Sequence, residues 1–76
     1  MVDVELLRAE IKDLGITDVK LAEKCNFTTR TLQNKLNKPN TITVNDALNI
    51  AKALRIQEPE KLFSIFFASE VEEKGN

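Results

Sequence analysis

The sequence predicts an all-α fold, a compact bundle of about five short helices. Three observations lead there. Apolar residues recur at three- and four-residue spacing in five successive stretches. Most of these stretches open on a residue suited to start a helix, and none alternates apolar with polar as a half-buried strand does. Gly15, Pro39 and Pro59 fall at or near predicted helix boundaries, and the remaining glycine, Gly75, lies in the C-terminal tail.

Asp3 is a good N-cap for the first helix, and Val4, Leu7, Ile11 and Leu14 form its expected inner stripe. Gly15 follows as a left-handed stop, with Ile16 as its hydrophobic lock. Thr17 caps a second helix over 18–25 whose inward residues are Leu21, Ala22 and Cys25. Asn26 stands where the chain must turn, and asparagine tolerates the left-handed region better than any residue but glycine. Thr28 caps a third helix that runs to about Leu36, with Leu32 and Leu36 buried one turn apart.

The polar run 37–41 contains Pro39 and reads as a loop. Thr43 and Asp46 have capping-box spacing at the start of the fourth helix, with Ile42 as a possible staple. Its expected face is Ala47, Leu48, Ala51 and Leu54, with Ile50 alongside. Pro59 opens the fifth helix, which carries Leu62, Phe63, Ile65, Phe66 and Phe67. One helix hides only one stripe. Leu62, Phe63 and Phe66 are therefore expected inward, while Ile65 and Phe67 point partly outward. The expected organisation is one domain over 1–68, followed by a flexible acidic tail over 69–76.

Composition narrows the chemistry. The chain has 76 residues, one cysteine and no histidine. A Ser–His or Cys–His nucleophile pair cannot be built, nor an ordinary zinc site, and there is no glycine-rich phosphate loop. So small a domain offers little room for a substrate pocket. The expectation is a non-enzymatic protein with no cofactor and no metal. The acidic, amphipathic N-terminus is unlike a signal peptide, and no apolar run reaches membrane-spanning length, so a cytoplasmic location without membrane contact is expected. Net charge is −1, but its distribution is uneven. Residues 17–41 hold five basic against two acidic side chains, whereas both flanks are acidic. That asymmetry points toward an anionic partner.

Two short helices joined by about three residues, the second exposing polar side chains, make a helix–turn–helix. The small Ala22 lets the helices cross closely, Asn26 makes the turn, and Phe27 and Leu32 pin the second helix from inside. The run TDVKLAEKCNFTTRTLQNKLNKPNTITVNDALNIAKALRI, residues 17–56, resembles the lambda-repressor/Cro-type helix–turn–helix domains. The small size is similar to that of little regulators from temperate phages and other mobile elements.

The resemblance implies a sequence-specific DNA-binding transcriptional regulator, commonly a repressor, whose third helix enters the major groove. It places base reading on Thr29, Arg30, Gln33 and Asn34. Arg30 suits guanine, and Gln33 or Asn34 suits adenine. Phosphate contact is expected from Thr28, Lys35, Lys38 and Lys20. Family members commonly dimerise through the C-terminal region, which puts Ile65, Phe66 and Phe67 in a dimer or partner interface. The chain departs from the family pattern at three positions. Asp18 stands where glutamine often reaches a phosphate, Asn26 replaces the turn glycine, and Arg55 replaces the glycine after the fourth helix. The near-neutral acidic charge, Asp18 and the aromatics expected at the surface over Phe63 to Phe67 motivate an alternative, a protein-binding modulator or antirepressor that docks on another repressor. An antitoxin role would combine both activities.

Overall fold

The computed structural model describes residues 2–67. The proposed tail over 69–76 lies outside the described residues. Five α-helices are present, α1 (Val4–Leu14), α2 (Asp18–Lys24), α3 (Thr29–Asn37), α4 (Val44–Ala53) and α5 (Pro59–Phe66), with no strand among the described residues. A single 3₁₀ turn, Pro39–Thr41, occupies the connection read as a loop, because Pro39 suits a first helical position but cannot continue α3.

Four of the five helices begin on a side-chain cap. Asp3, Thr17, Thr28 and Thr43 accept from the backbone N–H groups of Leu6, Lys20, Thr31 and Asp46. Thr43 and Asp46 complete a reciprocal capping box. Helix α5 begins instead on Pro59, which has no N–H to satisfy.

The first, second and fourth helices end alike. Gly15, Asn26 and Arg55 adopt φ of 68°, 61° and 58°. In each case the next residue is apolar and returns its N–H to a carbonyl five residues back. These bonds are Ile16 to Ile11 at 3.3 Å, Phe27 to Ala22 at 2.8 Å and Ile56 to Ala51 at 3.0 Å. Each left-handed residue satisfies orphan carbonyls and swings an apolar side chain onto the core. Arg55 takes this conformation as a charged L-residue, at a backbone cost of about 1–2 kcal/mol.

The core comprises Leu7 and Ile11 of α1; Leu21, Ala22 and Cys25 around α2; Leu32 and Leu36 of α3; Ala47, Ile50, Ala51 and Leu54 of α4; and Ile65 and Phe66 of α5. Val2 and Ile56 complete it. Four expected orientations are corrected, two of them on α5. Leu14 is 51% exposed and Leu48 49% exposed, so neither belongs to its helix's inner stripe. At the end of α1 the stripe passes to Ile16, because Gly15 reverses the chain there. On α4 the buried set is 47, 50, 51 and 54, which rotates the helix so that Ile50 takes the place expected for Leu48.

On α5 the order is likewise altered. Ile65 and Phe66 are each only 2% exposed, Leu62 and Phe67 are half-buried, and Phe63 is the exposed aromatic. The cause is the pairing of α5 with α1 and the bond from the Asp3 N–H to the Ile65 carbonyl at 2.7 Å. That contact turns the 62/65/66 stripe inward and leaves Phe63 on the far side.

The left-handed stops yield a direct test. Replacing Arg55 with glycine removes the Cβ penalty and is expected to raise stability by about 0.5–1 kcal/mol. Gly15→Ala introduces that penalty and is expected to lose about 1 kcal/mol, since a Cβ there meets nothing within 4 Å and only the backbone is strained. Urea midpoints shifting in opposite directions at constant m-value would establish both.

Candidate nucleic-acid interface

Helices α2 and α3 pack against each other across the turn at Cys25–Thr28. Ala22 is buried at their crossing, and Phe27 packs partly into the core below α3. The corner is also held from outside the pair. The Asn49 side-chain amide on α4 donates to the Cys25 carbonyl at 2.8 Å, meeting an acceptor at the very end of α2. Sequence reasoning missed Asn49. Its only signal was a polar residue beside the buried stripe of α4, which also describes ordinary surface residues.

With Leu32 and Leu36 buried, α3 turns Arg30, Gln33, Asn34 and Asn37 outward, all exposed. Their spacing of three, four and seven places them along one stripe. Three of the four residues expected to read bases, Arg30, Gln33 and Asn34, are therefore brought together on one free face. Thr29, the fourth, is half-buried at the first turn of the helix and stands apart from that stripe.

The residues expected at phosphates fare differently. Lys35 is not a free cation. Its Nζ donates to Asp46 Oδ2 at 2.8 Å and lies 5.5 Å from the centre of the Phe27 ring. This ammonium is spent on joining α3 to α4, because Asp46 is already fixed by the capping box and Phe27 by the turn. Lys20 is exposed and pairs with Glu23 at 3.3 Å, a contact one turn away on the same helix. The Thr28 hydroxyl accepts from the Thr31 N–H and donates to the Thr31 hydroxyl at 2.8 Å. Lys38, at the C-cap of α3, is exposed and makes no side-chain bond among the described residues. Asp18 sits in the first turn of α2, where it complements the helix dipole.

The residues expected in a dimer or partner interface, Ile65, Phe66 and Phe67, do not form an exposed patch. The first two belong to this chain's own core, so the exposed aromatic surface of α5 is Phe63.

Two titratable groups respond to this arrangement. The hydrogen bond from Lys35 holds the Asp46 carboxyl below its ordinary value near 3.8, aided by the Thr43 N–H and opposed by partial burial. Burial, then the nearby Asp46 charge, pushes the Cys25 thiol up, consistent with an inert core cysteine. Among the described residues no helix is long and apolar enough to cross a membrane, and no cluster of three or more potential ligands is placed to hold a metal.

No family model, curated protein or solved structure matches this chain.

The Asp46 carboxylate gives the corner a pH dependence of defined sign. Its pKa is lower folded than unfolded, so its contribution is complete above the unfolded value and fades as pH falls through the folded one. Asp46→Asn is expected to lower stability at pH 6. The gap from the parent chain should shrink steadily below about pH 4, read from denaturant midpoints across that range.

Proposed function

We propose that this chain is a sequence-specific DNA-binding transcriptional regulator of the lambda-repressor/Cro type, with α3 as the recognition helix. The observation that carries this reading is the stripe of Arg30, Gln33 and Asn34. Three side chains with base-reading chemistry stand exposed on a helix whose other side is locked into the core. A helix so presented fits a major groove about 12 Å wide. Arg30 offers a bidentate donor pair for guanine, and Gln33 and Asn34 offer the donor–acceptor pair that adenine requires. The α3 N-terminus and Lys38 at its far end supply backbone and side-chain donors to flanking phosphates. With Lys20 and Lys35 engaged internally, one subunit has few free cations on this side. A homodimer on a palindromic operator, with half-sites one helical turn apart, doubles them.

The same internal pairing favours a second reading. A face on which Lys20 and Lys35 are paired, with Asp18 in the first turn of α2 and Val19 next to it 62% exposed, also suits a protein surface. On that reading the chain docks on another repressor and modulates its DNA binding.

Selection from random duplex DNA at low salt separates the two. Recovery of a palindrome supports the DNA reading; flat enrichment together with a retained repressor supports the protein reading. On a recovered site, Arg30→Ala is expected to cost about 1–3 kcal/mol and relax preference at one base position. Lys38→Ala should weaken all sequences alike and lower the salt slope by about 1. Unchanged binding in both variants removes α3 from the interface.

A further inference from the structure

Away from the α3 stripe, the C-terminal half of α4 borders two adjoining concavities. One, of about 420 Å³, is lined by Lys24, Asn26, Asn49, Lys52, Ala53 and Arg55. The other, of about 460 Å³, shares Lys52 and Arg55 and has an apolar floor that includes Leu48, Ala51, Ile56 and Leu62. The two meet at Lys52 and Arg55, the first bringing cations from α2 and the second an apolar floor that reaches α5. Neither is lined by a carboxylate; the acid at their shared rim is Asp46, in a third concavity with Leu48, Asn49 and Lys52, and it is already paired with Lys35. The ion pairs among the described residues join Lys20 to Glu23, Lys35 to Asp46 and Lys61 to Glu10, and none engages Lys24, Lys52 or Arg55.

Such a groove selects its occupant. Three ammonium or guanidinium groups with no acid among them attract an anion, and the Asn49 and Asn26 side chains add polar edges. A bare phosphate or a nucleic-acid backbone would leave the Leu48–Leu62 floor wet. A short peptide carrying both carboxylates and an apolar side chain satisfies both halves. The chain itself supplies one: Glu70-Val71-Glu72-Glu73 follows α5, three carboxylates around one valine. Leu62 lies about 7–8 Å along the α5 axis from Phe67, and three further residues to Glu70 span up to about 10 Å, enough to return to the apolar end. Residues 71–73 add up to about 10 Å more toward Lys52 and Arg55, which line the same concavity as Leu62.

We propose that the α4 groove, with Lys24, Lys52 and Arg55 at its cationic end, is the docking site for the acidic segment 70–73 of the same chain. Tethering raises the segment's local concentration into the range where weak carboxylate contacts suffice. The contact is electrostatic at its cationic end and is weakened by salt.

The test uses the full chain with a spin label on a cysteine introduced by Asn76→Cys. Cys25 is 1% exposed, so the label goes to the new thiol. At low salt the amide signals of Lys52, Arg55 and Gln57 are expected to lose more than half their intensity relative to the reduced label, and to recover in about 1 M salt, where the screening length is near 3 Å. The loss should also disappear in Lys52→Gln/Arg55→Gly, two changes at exposed positions, the second of which relieves backbone strain. Loss confined to α5, or unchanged in the double variant, overturns the proposal. So does loss seen only when labelled chain is mixed with isotope-enriched unlabelled chain, which would make the occupant a second copy. Groove amides that ignore the label but shift on adding random duplex DNA would assign the groove to nucleic acid and equally overturn it.

Discussion

The whole fold hangs on reversing a short chain sharply without leaving backbone groups unpaired. Helices of seven to eleven residues are too short to hold themselves in water. Each must therefore be delivered onto its neighbours within a few residues of its last turn. The left-handed residues Gly15, Asn26 and Arg55 do this three times with the same hydrogen bonds, and each is followed by an apolar residue. Ile16, Phe27 and Ile56 are thus both the ends of helices and parts of the core. Shifting any of the three stops by one residue would turn that apolar side chain toward solvent and misdirect the next helix by roughly 100°.

The corner between α2 and α3 is the one that also needs outside support, and α4 provides it through polar atoms. Asn49 holds the Cys25 carbonyl, and Asp46 holds Lys35 while closing its own capping box. The two bonds that reach across from α4 are half-buried and short, so they fix orientation as much as they add energy. Once Leu32, Leu36 and Lys35 are committed to α4 and the core, the outward stripe of α3 is determined. Arg30, Gln33 and Asn34, with Asn37, are displayed because they lie opposite Leu32 and Leu36 on that helix.

How far the sequence reaches follows from the range of each interaction. Caps and stops act over three to five residues, so Asp3, Thr17, Thr28, Thr43, Gly15 and Asn26 were legible from local pattern. Helix rotation was not, because it depends on partners. Leu14, Leu48 and Phe63 fit an apolar stripe as well as their buried neighbours do, and only the packing of α1 against α5, or α2 against α4, decides between them. The candidate site divides the same way. The exposure of Arg30, Gln33 and Asn34 follows from the period of a helix pinned by Leu32 and Leu36. The capture of Lys35 by Asp46 spans eleven positions, and the Asn49 contact spans twenty-four. No local pattern announces either.

Arg55 joins the two arguments. A left-handed stop at the end of α4 is required by the geometry of Ile56, and glycine meets that requirement at lower strain. A strained non-glycine residue is a reason to look for what its side chain does. Here Arg55 lines both halves of the α4 groove, together with Lys52. The backbone of Arg55 therefore serves the fold at some cost, and its side chain serves the groove. Glycine substitution separates the two roles, because it improves the first while deleting the second. A chain that becomes more stable yet loses its groove contact would place the value of this residue in binding and not in folding.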